Sequence, residues 1–257
     1  MLCYITKLNT LLDDAVLKCV ANISHVGIPF SGGLDSSIIA SLTCKYTEVT
    51  LYVAGFEGAH DLSVAREAAE MLKLPLIEIT LVEQDIENAL PLITKIIESK
   101  NPIEISFELP LFFVSKHARE KILISAQGAD ELFAGYAKYL NLKIEYLNTE
   151  LVRAVRELKE TGIQKDKQIA AYFGKELRVP FLEPTTVELG LNIPSELKIK
   201  NGLRKYILRE FGKFLGLPPE ITSRAKKGAQ YGSGIMKVLK KLAAKENLSL
   251  ALYLEKI

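Results

Sequence analysis

The sequence predicts an α/β fold, a parallel sheet flanked by helices, followed by a helical C-terminal lobe. In the first half of the chain, short apolar runs bounded by turn residues alternate with longer amphipathic segments. After residue 128 the strand signals largely disappear. Alternation of strand and helix is typical of a parallel sheet with both faces covered.

Four apolar runs are the predicted strands, in chain order HVGIPF (25–30), VTLYVAGF (49–56), LPLIEIT (74–80) and KILIS (121–125). The segments SSIIASLTCKY, DLSVAREAAEMLK, EQDIENALPLITKIIES and LPLFFVSKHA have helical spacing. Pro91 is expected to kink the third helix or to mark a boundary within it. We expect one domain over residues 1–257, with an α/β core at about 22–127 and a mainly helical lobe at 128–257.

Composition narrows the class of protein. The chain has 257 residues, 48% of them hydrophobic, which is enough for a substantial core. Its three cysteines form no CxxC pair, so a zinc knuckle and a secreted disulfide framework are not expected. Charged residues interrupt the first twenty positions, and no run approaches the ~20 apolar residues of a membrane span. We therefore expect a cytoplasmic protein without a membrane partner.

Charge is distributed unevenly along the chain. Residues 198–245 contain thirteen Lys or Arg against two acids, a surplus of +11 in a chain whose net charge is +2. This asymmetry predicts contact with an anion, either a polyphosphate or a nucleic acid. A solvated helix face is the alternative interpretation.

A glycine-rich turn, SGGLDSS (31–37), joins the first predicted strand to the first predicted helix. In an open parallel sheet this is where phosphates bind, because the helix N-terminus offers unpaired N–H groups. Gly32 and Gly33 permit close backbone approach, and three serines add hydroxyl donors. The turn has neither GxxxxGK[ST] nor GxGxxG spacing. A serine-capped helix would also fit, but Asp35 in a phosphate-binding turn indicates a bridging cation, Mg²⁺.

SGGLDSS resembles the pyrophosphate (PP) loop of the N-type ATP pyrophosphatases, enzymes that cleave ATP between the α and β phosphates. The resemblance implies an adenine nucleotide alpha hydrolase-like (HUP-type) fold. The motif alone leaves several members of the superfamily open.

Three later segments narrow the resemblance. ISAQGADELFAGY (124–136) resembles LSGEGSDELFGGY of asparagine synthetase, GKELRVPFLEP (174–184) resembles its GVEARVPFLD region, and TSRAKKGAQYGSG (222–234) resembles its RxK…Q…G loop. The similarity runs over roughly residues 22–235. The chain is identified as an asparagine synthetase-like synthetase domain.

The resemblance implies a role for each matched position. Five residues would hold the β and γ phosphates: Ser31, Gly32, Gly33, Ser36 and Ser37. Four would frame adenosine: Phe30, Ala54, Ser125 and Ala126. Asp35 and Asp130 would be Mg²⁺ ligands, and Lys226 would neutralise the departing pyrophosphate. Arg204, Lys205 and Arg209 are equally compatible with phosphate contact and with ordinary solvated charge.

Two positions depart from the family pattern. The family's amino-terminal glutaminase uses a cysteine at position 2, where this chain has Leu2, so we expect ammonia to come free or from a separate glutaminase subunit. The family has Glu where this chain has Gln127. An amide cannot take a proton from an amine but can position a substrate by hydrogen bonds.

The predicted function is an ATP- and Mg²⁺-dependent ligase that adenylates a carboxylate, by default aspartate, and lets ammonia or another amine displace AMP. Such an enzyme would serve asparagine biosynthesis and bind small molecules. Two alternatives remain open, a tRNA-modifying PP-loop ATPase that uses the basic segment to bind RNA, and a nucleotide-binding sensor or subunit without turnover.

Overall fold

The computed structural model describes residues 1–224 and 232–257. Five strands form its central sheet: β1 (His25–Pro29), β2 (Glu48–Phe56), β3 (Leu76–Leu81), β4 (Ile122–Ile124) and β5 (Glu176–Arg178). They pair in the order β3-β2-β1-β4-β5, and all four pairings are parallel. The predicted parallel α/β sheet is confirmed.

Helices cover both faces of the sheet and make up most of the rest. They are α1 (Leu2–Val20), α2 (Leu34–Thr43), α3 (His60–Leu72), α4 (Glu83–Ile97), α5 (Pro102–His117), α6 (Ala129–Leu132), α7 (Ile144–Glu157), α8 (Ile163–Tyr172), α9 (Pro184–Asn192), α10 (Ser195–Lys198), α11 (Tyr206–Phe214), α12 (Pro219–Thr222), α13 (Ile235–Lys245) and α14 (Leu250–Lys256). A two-stranded antiparallel hairpin, β6 (Ile199–Lys200) and β7 (Leu203–Arg204), precedes α11.

The sheet separates two apolar cores. Successive side chains of a strand point to opposite faces, so Leu51 and Val53 of β2 lie in one core and Tyr52 and Ala54 in the other. Buried residues of α1, α2, α3 and α11 complete the first core. Those of α4, α5, α13 and α14 complete the second. Burial on both faces explains why the strands read as continuous apolar runs.

Pro91 and Pro110 lie within the predicted helices, and neither interrupts the helix that contains it. The helix α4 continues through Pro91, so a boundary there is wrong. The helix α5 begins at Pro102, well before the predicted LPLFFVSKHA segment. Its start is set by Asn101, whose side chain accepts a 2.9 Å hydrogen bond from the Ile103 N–H, and by a proline in the first turn.

Two elements that pack on or extend the main sheet were not predicted from the sequence, and neither was the β6–β7 hairpin. The first is α1, which packs Leu8, Leu12 and Val16 into the first core. The second is β5, a three-residue strand whose outer residues are charged, so it has no apolar run to reveal it. Because β5 pairs with β4, the sheet crosses the predicted division between 127 and 128.

The strand order places a topological switch point between β1 and β4. After β1 the chain adds β2 and then β3 on one side of β1, and it later adds β4 and then β5 on the other side. The connections that follow β1 and β4 therefore run in opposite directions along the sheet and leave a crevice between them. Ligands of open α/β sheets bind in the crevice at such a point, beyond the carboxyl ends of the strands. None of the described helices is both long and apolar enough to cross a bilayer.

Candidate active site

The turn after β1 has a backbone that requires glycine. The Phe30 N–H donates to the Tyr52 carbonyl at 2.7 Å, which prolongs the β1–β2 pairing by one residue. Gly32 then adopts a left-handed conformation with φ of +67°, and a Cβ at this position would overlap the backbone of Val64 on α3. The turn is therefore pressed against α3, and it leads directly into the N-terminus of α2, where helix N–H groups attract anions.

The three serines of this turn have different surroundings. Ser31 is exposed, whereas Ser36 is buried and donates to the Gly33 carbonyl at 3.3 Å. Ser37 is fully buried, and its hydroxyl has no hydrogen-bond partner among the described residues. A buried hydroxyl without a partner is costly, so this group is a candidate donor to a ligand.

Two carboxylates from neighbouring strands converge on one lysine. Asp35 follows β1, Asp130 follows β4, and both side chains contact the ammonium of Lys205, at 2.5 Å and 2.6 Å. The Lys205 side chain is only 5% exposed. Burial alone would lower the pKa of Lys205, but the charges of Asp130 and Asp35 outweigh it, and the pKa is raised. A permanent cation thus lies between the two predicted metal ligands.

The backbone around this lysine is shaped to admit it. A Cβ on Gly135 would overlap the Asp130 carboxylate and the Lys205 side chain. The carbonyl of Gly135 accepts a 2.5 Å hydrogen bond from Arg204, which ties the two loops together. Lys205 itself has φ of +55°, a conformation that L-residues adopt at a cost.

Arg209, one turn along α11, fixes the neighbouring chain. Its buried guanidinium donates to the carbonyls of Arg204, Thr222 and Arg224 at 2.6–3.1 Å. Arg224 in turn donates to the Gly32 carbonyl and pairs with Glu67 on α3. The solvated-charge interpretation of Lys205 and Arg209 is wrong, because both side chains are buried.

The predicted catalytic Lys226 lies outside the described residues. The chain on either side of that segment lies near the SGGLDSS turn. Arg224 contacts Gly32, and the Ser233 carbonyl accepts a 3.0 Å hydrogen bond from the Phe56 N–H at the end of β2.

The residues predicted to frame adenosine lie at the carboxyl ends of three adjacent strands, β1, β2 and β4. Phe30 and Ala54 are buried at the carboxyl ends of β1 and β2. Ser125 is buried after β4 and its N–H donates to the Arg178 carbonyl at 2.9 Å, while Ala126 is half-buried. All four therefore lie along the edge of the sheet that carries the SGGLDSS turn.

Gln127 is the first member of a buried polar chain that the sequence did not reveal. Its side-chain amide hydrogen-bonds Asp166 on α8, and Asp166 shares a hydrogen bond with Glu108 on α5. Burial raises the pKa of Glu108 to about 10 and that of Asp166 to about 6. Near neutral pH the pair holds one proton, which Glu108 donates to the Asp166 carboxylate.

This arrangement gives a physical reason for an amide at position 127. An amide can donate a hydrogen bond to Asp166, whereas an ionised glutamate cannot. A glutamate would also place a third carboxyl beside an already coupled pair. No sequence signal links Glu108, Gln127 and Asp166, because three separate elements contribute them.

The basic segment 198–245 does not present one cationic surface in its described part. Lys198, Lys205 and Arg209 are buried. Several others have acidic partners: Lys213 pairs with Glu210, Arg224 with Glu67, and Lys241 and Lys245 with Glu83. Within residues 1–224 and 232–257, no group of three or more His, Cys, Asp or Glu side chains could hold a metal.

Comparison with protein families finds a match over nearly the whole chain. The family described as asparagine synthase matches residues 7–147 and 141–254. A Methanocaldococcus jannaschii protein assigned as a glutamine-hydrolysing asparagine synthetase is 36% identical over 94% of this chain and 52% of its own length.

Eukaryotic proteins are also similar. Glutamine-hydrolysing asparagine synthetases of Lotus japonicus and Homo sapiens are 30% and 29% identical, over 77% and 90% of this chain. The matches cover 37% and 44% of those proteins, so the chain spans about half the length, or less, of the curated relatives it matches. Among solved structures, NMN synthetase from Francisella tularensis is similar at 18% identity with a TM-score of 0.46, over 98% of this chain and 89% of that one.

Proposed function

Because the chain belongs to the asparagine synthase family, we propose that it is an ATP- and Mg²⁺-dependent amide-forming ligase that releases pyrophosphate and AMP. One observation carries the proposal. Asp35 and Asp130 follow the two strands at the switch point and converge within 2.6 Å of one nitrogen, beside the SGGLDSS turn. Two sheltered carboxylates next to a phosphate-binding turn are suited to a metal–triphosphate complex.

The donor set fits Mg²⁺. This ion is usually held by one or two carboxylates together with substrate phosphates and water. The two aspartates would supply oxygen ligands, and the ammonium of Lys205 that they hold supports the proposal of a positive charge between them. Bound there, Mg²⁺ would neutralise charge on the leaving pyrophosphate.

The SGGLDSS turn would bind the outer phosphates. Its backbone N–H groups and the N-terminus of α2 attract anions, and Gly32 lets the chain approach them closely. Five residues would make these contacts: Ser31, Gly32, Gly33, Ser36 and Ser37. Adenosine would lie along the strand ends formed by Phe30, Ala54, Ser125 and Ala126.

The chemistry has two balanced steps. A carboxylate oxygen of the acceptor attacks the α-phosphorus, and the bond to the bridging oxygen breaks with pyrophosphate leaving. An amine nitrogen then attacks the acyl carbon, the amide bond forms, AMP leaves with the bonding electron pair, and the nitrogen gives up one proton to water or to the departing AMP phosphate. Lys226 would stabilise the pyrophosphate charge, and Gln127, held by Asp166, would orient the amine rather than deprotonate it.

Aspartate is the proposed acceptor and ammonia the proposed nitrogen donor, either free or released from glutamine by a glutaminase. The test incubates the protein with ATP, Mg²⁺, ammonium and a panel of amino acids, and measures pyrophosphate and the amide by mass spectrometry. Asp35→Asn and Asp130→Asn should each lower pyrophosphate release by about 10²-fold or more, and the exposed Asp14→Asn should not. Unchanged rates in both site variants would reject the proposed site.

A further inference from the structure

The two predicted metal ligands, Asp35 and Asp130, share one buried cation that has no assigned role, Lys205. Its ammonium lies 2.5 Å from Asp35 and 2.6 Å from Asp130, and these carboxylates are its partners in the described structure. Gly135 lacks the Cβ that would displace Lys205, and Lys205 itself adopts a positive φ of 55° at this position. The two ion pairs, the missing Cβ of Gly135 and the backbone conformation of Lys205 therefore all hold the ammonium between the two aspartates.

We propose that Lys205 is a built-in counter-ion that excludes free Mg²⁺ from the Asp35–Asp130 site until a nucleotide is present. The proposal rests on the proposed function, because it takes these two aspartates as the metal ligands. It adds an order of binding, in which metal enters together with the triphosphate and not before it.

The exclusion follows from burial. For free Mg²⁺ to bind, it must displace the ammonium from both carboxylates. Lys205 is almost fully buried, so its charge would be left without an anion in a poorly solvated place, which is strongly unfavourable. The metal and the lysine compete for the same two carboxylates.

A triphosphate removes that penalty. It brings several negative charges to the turn that lies beside Asp35, so phosphate oxygens can replace the carboxylates as partners of Lys205. Magnesium and the ammonium then each have anionic partners. This coupling would make metal affinity depend on nucleotide, and nucleotide affinity depend on metal to the same degree.

The test is a calorimetric titration of MgCl₂ into the metal-stripped protein without nucleotide. Wild type should bind Mg²⁺ at least about tenfold more weakly than Lys205→Met, in which the competing charge is gone. Lys205→Arg keeps a cation and should bind as weakly as wild type. Lys213→Met removes a lysine of the same helix whose partner is Glu210, and it should also match wild type.

Thermal unfolding supplies a second measurement. Lys205→Met leaves Asp35 and Asp130 close together without this cation, so its Tm should rise on adding Mg²⁺, while the wild-type Tm should not change. Equal Mg²⁺ affinity in wild type and in folded Lys205→Met would overturn the proposal.

If Lys205→Met does not fold, Mg²⁺ binding to the wild-type protein, measured with and without a nucleotide analogue, tests the proposal. Mg²⁺ binding that appears only after α,β-methylene-ATP is added supports the proposal, and binding without it at a Kd below about 1 mM contradicts it. Failure of the proposed function is separate. It would appear as absence of pyrophosphate release with every acceptor, whatever the metal titration shows.

Discussion

At the scale of single residues, Gly32 has the most restrictive backbone of the SGGLDSS turn. Its φ is +67°, and a Cβ would overlap Val64. Gly174 has a nearly identical φ of +68°, but a Cβ there would have no neighbouring atom within 4 Å, so Gly174 is a matched control.

We expect Gly32→Ala to destabilise the protein by about 1–3 kcal/mol more than Gly174→Ala, because only Gly32 adds overlap to the backbone strain. Urea unfolding measures the difference. Gly32→Ala should also lose ATP binding, and Gly174→Ala should retain it. Equal destabilisation by the two variants would show that the turn is not pressed against α3.

Glu108 gives a prediction about pH. Burial raises its pKa to about 10, so the folded protein keeps a proton that the unfolded chain releases at the ordinary carboxyl pKa near 4.5. The folded state binds more protons between these values, so this group makes stability fall as pH rises, by at most about 1.4 kcal/mol per pH unit.

Glu108→Gln should remove that loss while keeping a donor to Asp166. The variant should therefore gain stability relative to wild type between pH 5 and pH 9, as measured by urea unfolding across the range. In the control variant Glu188→Gln, at an exposed position, the unfolding free energy should change with pH in the same way as in wild type. A wild-type-minus-variant difference that does not change with pH would contradict the shared proton.

Gln127→Glu should have the opposite effect. It removes the donor to Asp166 and adds a third carboxyl, so we expect a loss of about 1–3 kcal/mol near pH 8 and a smaller loss near pH 5. Glu108→Gln in the same chain should recover part of this loss. Full stability of Gln127→Glu at pH 8 would mean that Asp166 does not need the amide.

At the scale of elements, α10 carries a fully buried lysine. Lys198 contacts Asn148 on α7 at 3.3 Å, and burial lowers its pKa to about 8. Below pH 8 the folded state holds a charge in an apolar place, while the unfolded chain binds its proton up to pH 10.5. Stability from this group therefore rises as pH increases from 8 to 10.5.

Lys198→Met should stabilise the protein at pH 7 by about 1–3 kcal/mol, because an apolar side chain replaces a poorly compensated charge. Chemical unfolding at pH 7 and pH 10 measures it, and the gain should shrink at the higher pH. Lys200→Met, which is exposed, serves as control. Destabilisation at pH 7 would show that the buried ammonium has stronger partners than Asn148.

The elements that the sequence predicted are those with a strong apolar period. The runs in β1 and β2 are long enough to be recognised as buried strands. The three residues of β5 pair only because β4 already offers an edge, which is tertiary information. Pro91 and Pro110 lie inside helices because packing on the second core outweighs a locally unfavourable residue.

At the scale of the whole molecule, the strand order explains why distant motifs form one site. Strands β2 and β3 lie between Asp35 and Asp130 in the sequence. In the sheet, however, β1 pairs directly with β4, so the carboxyl ends of these two strands lie side by side. Resemblance predicted both aspartates. For Lys205 the sequence left phosphate contact and solvated charge equally open, because the position of a lysine within a basic segment is decided only when α11 is placed against the switch point.

Phosphorus-31 NMR of the reaction mixture tests the central claim most directly. The protein is incubated with ATP, Mg²⁺, aspartate and ammonium, and the phosphorus products are identified. The account predicts AMP and pyrophosphate in equal amounts, because the SGGLDSS turn retains the outer two phosphates while the inner one is transferred. ADP and inorganic phosphate as the products would contradict it.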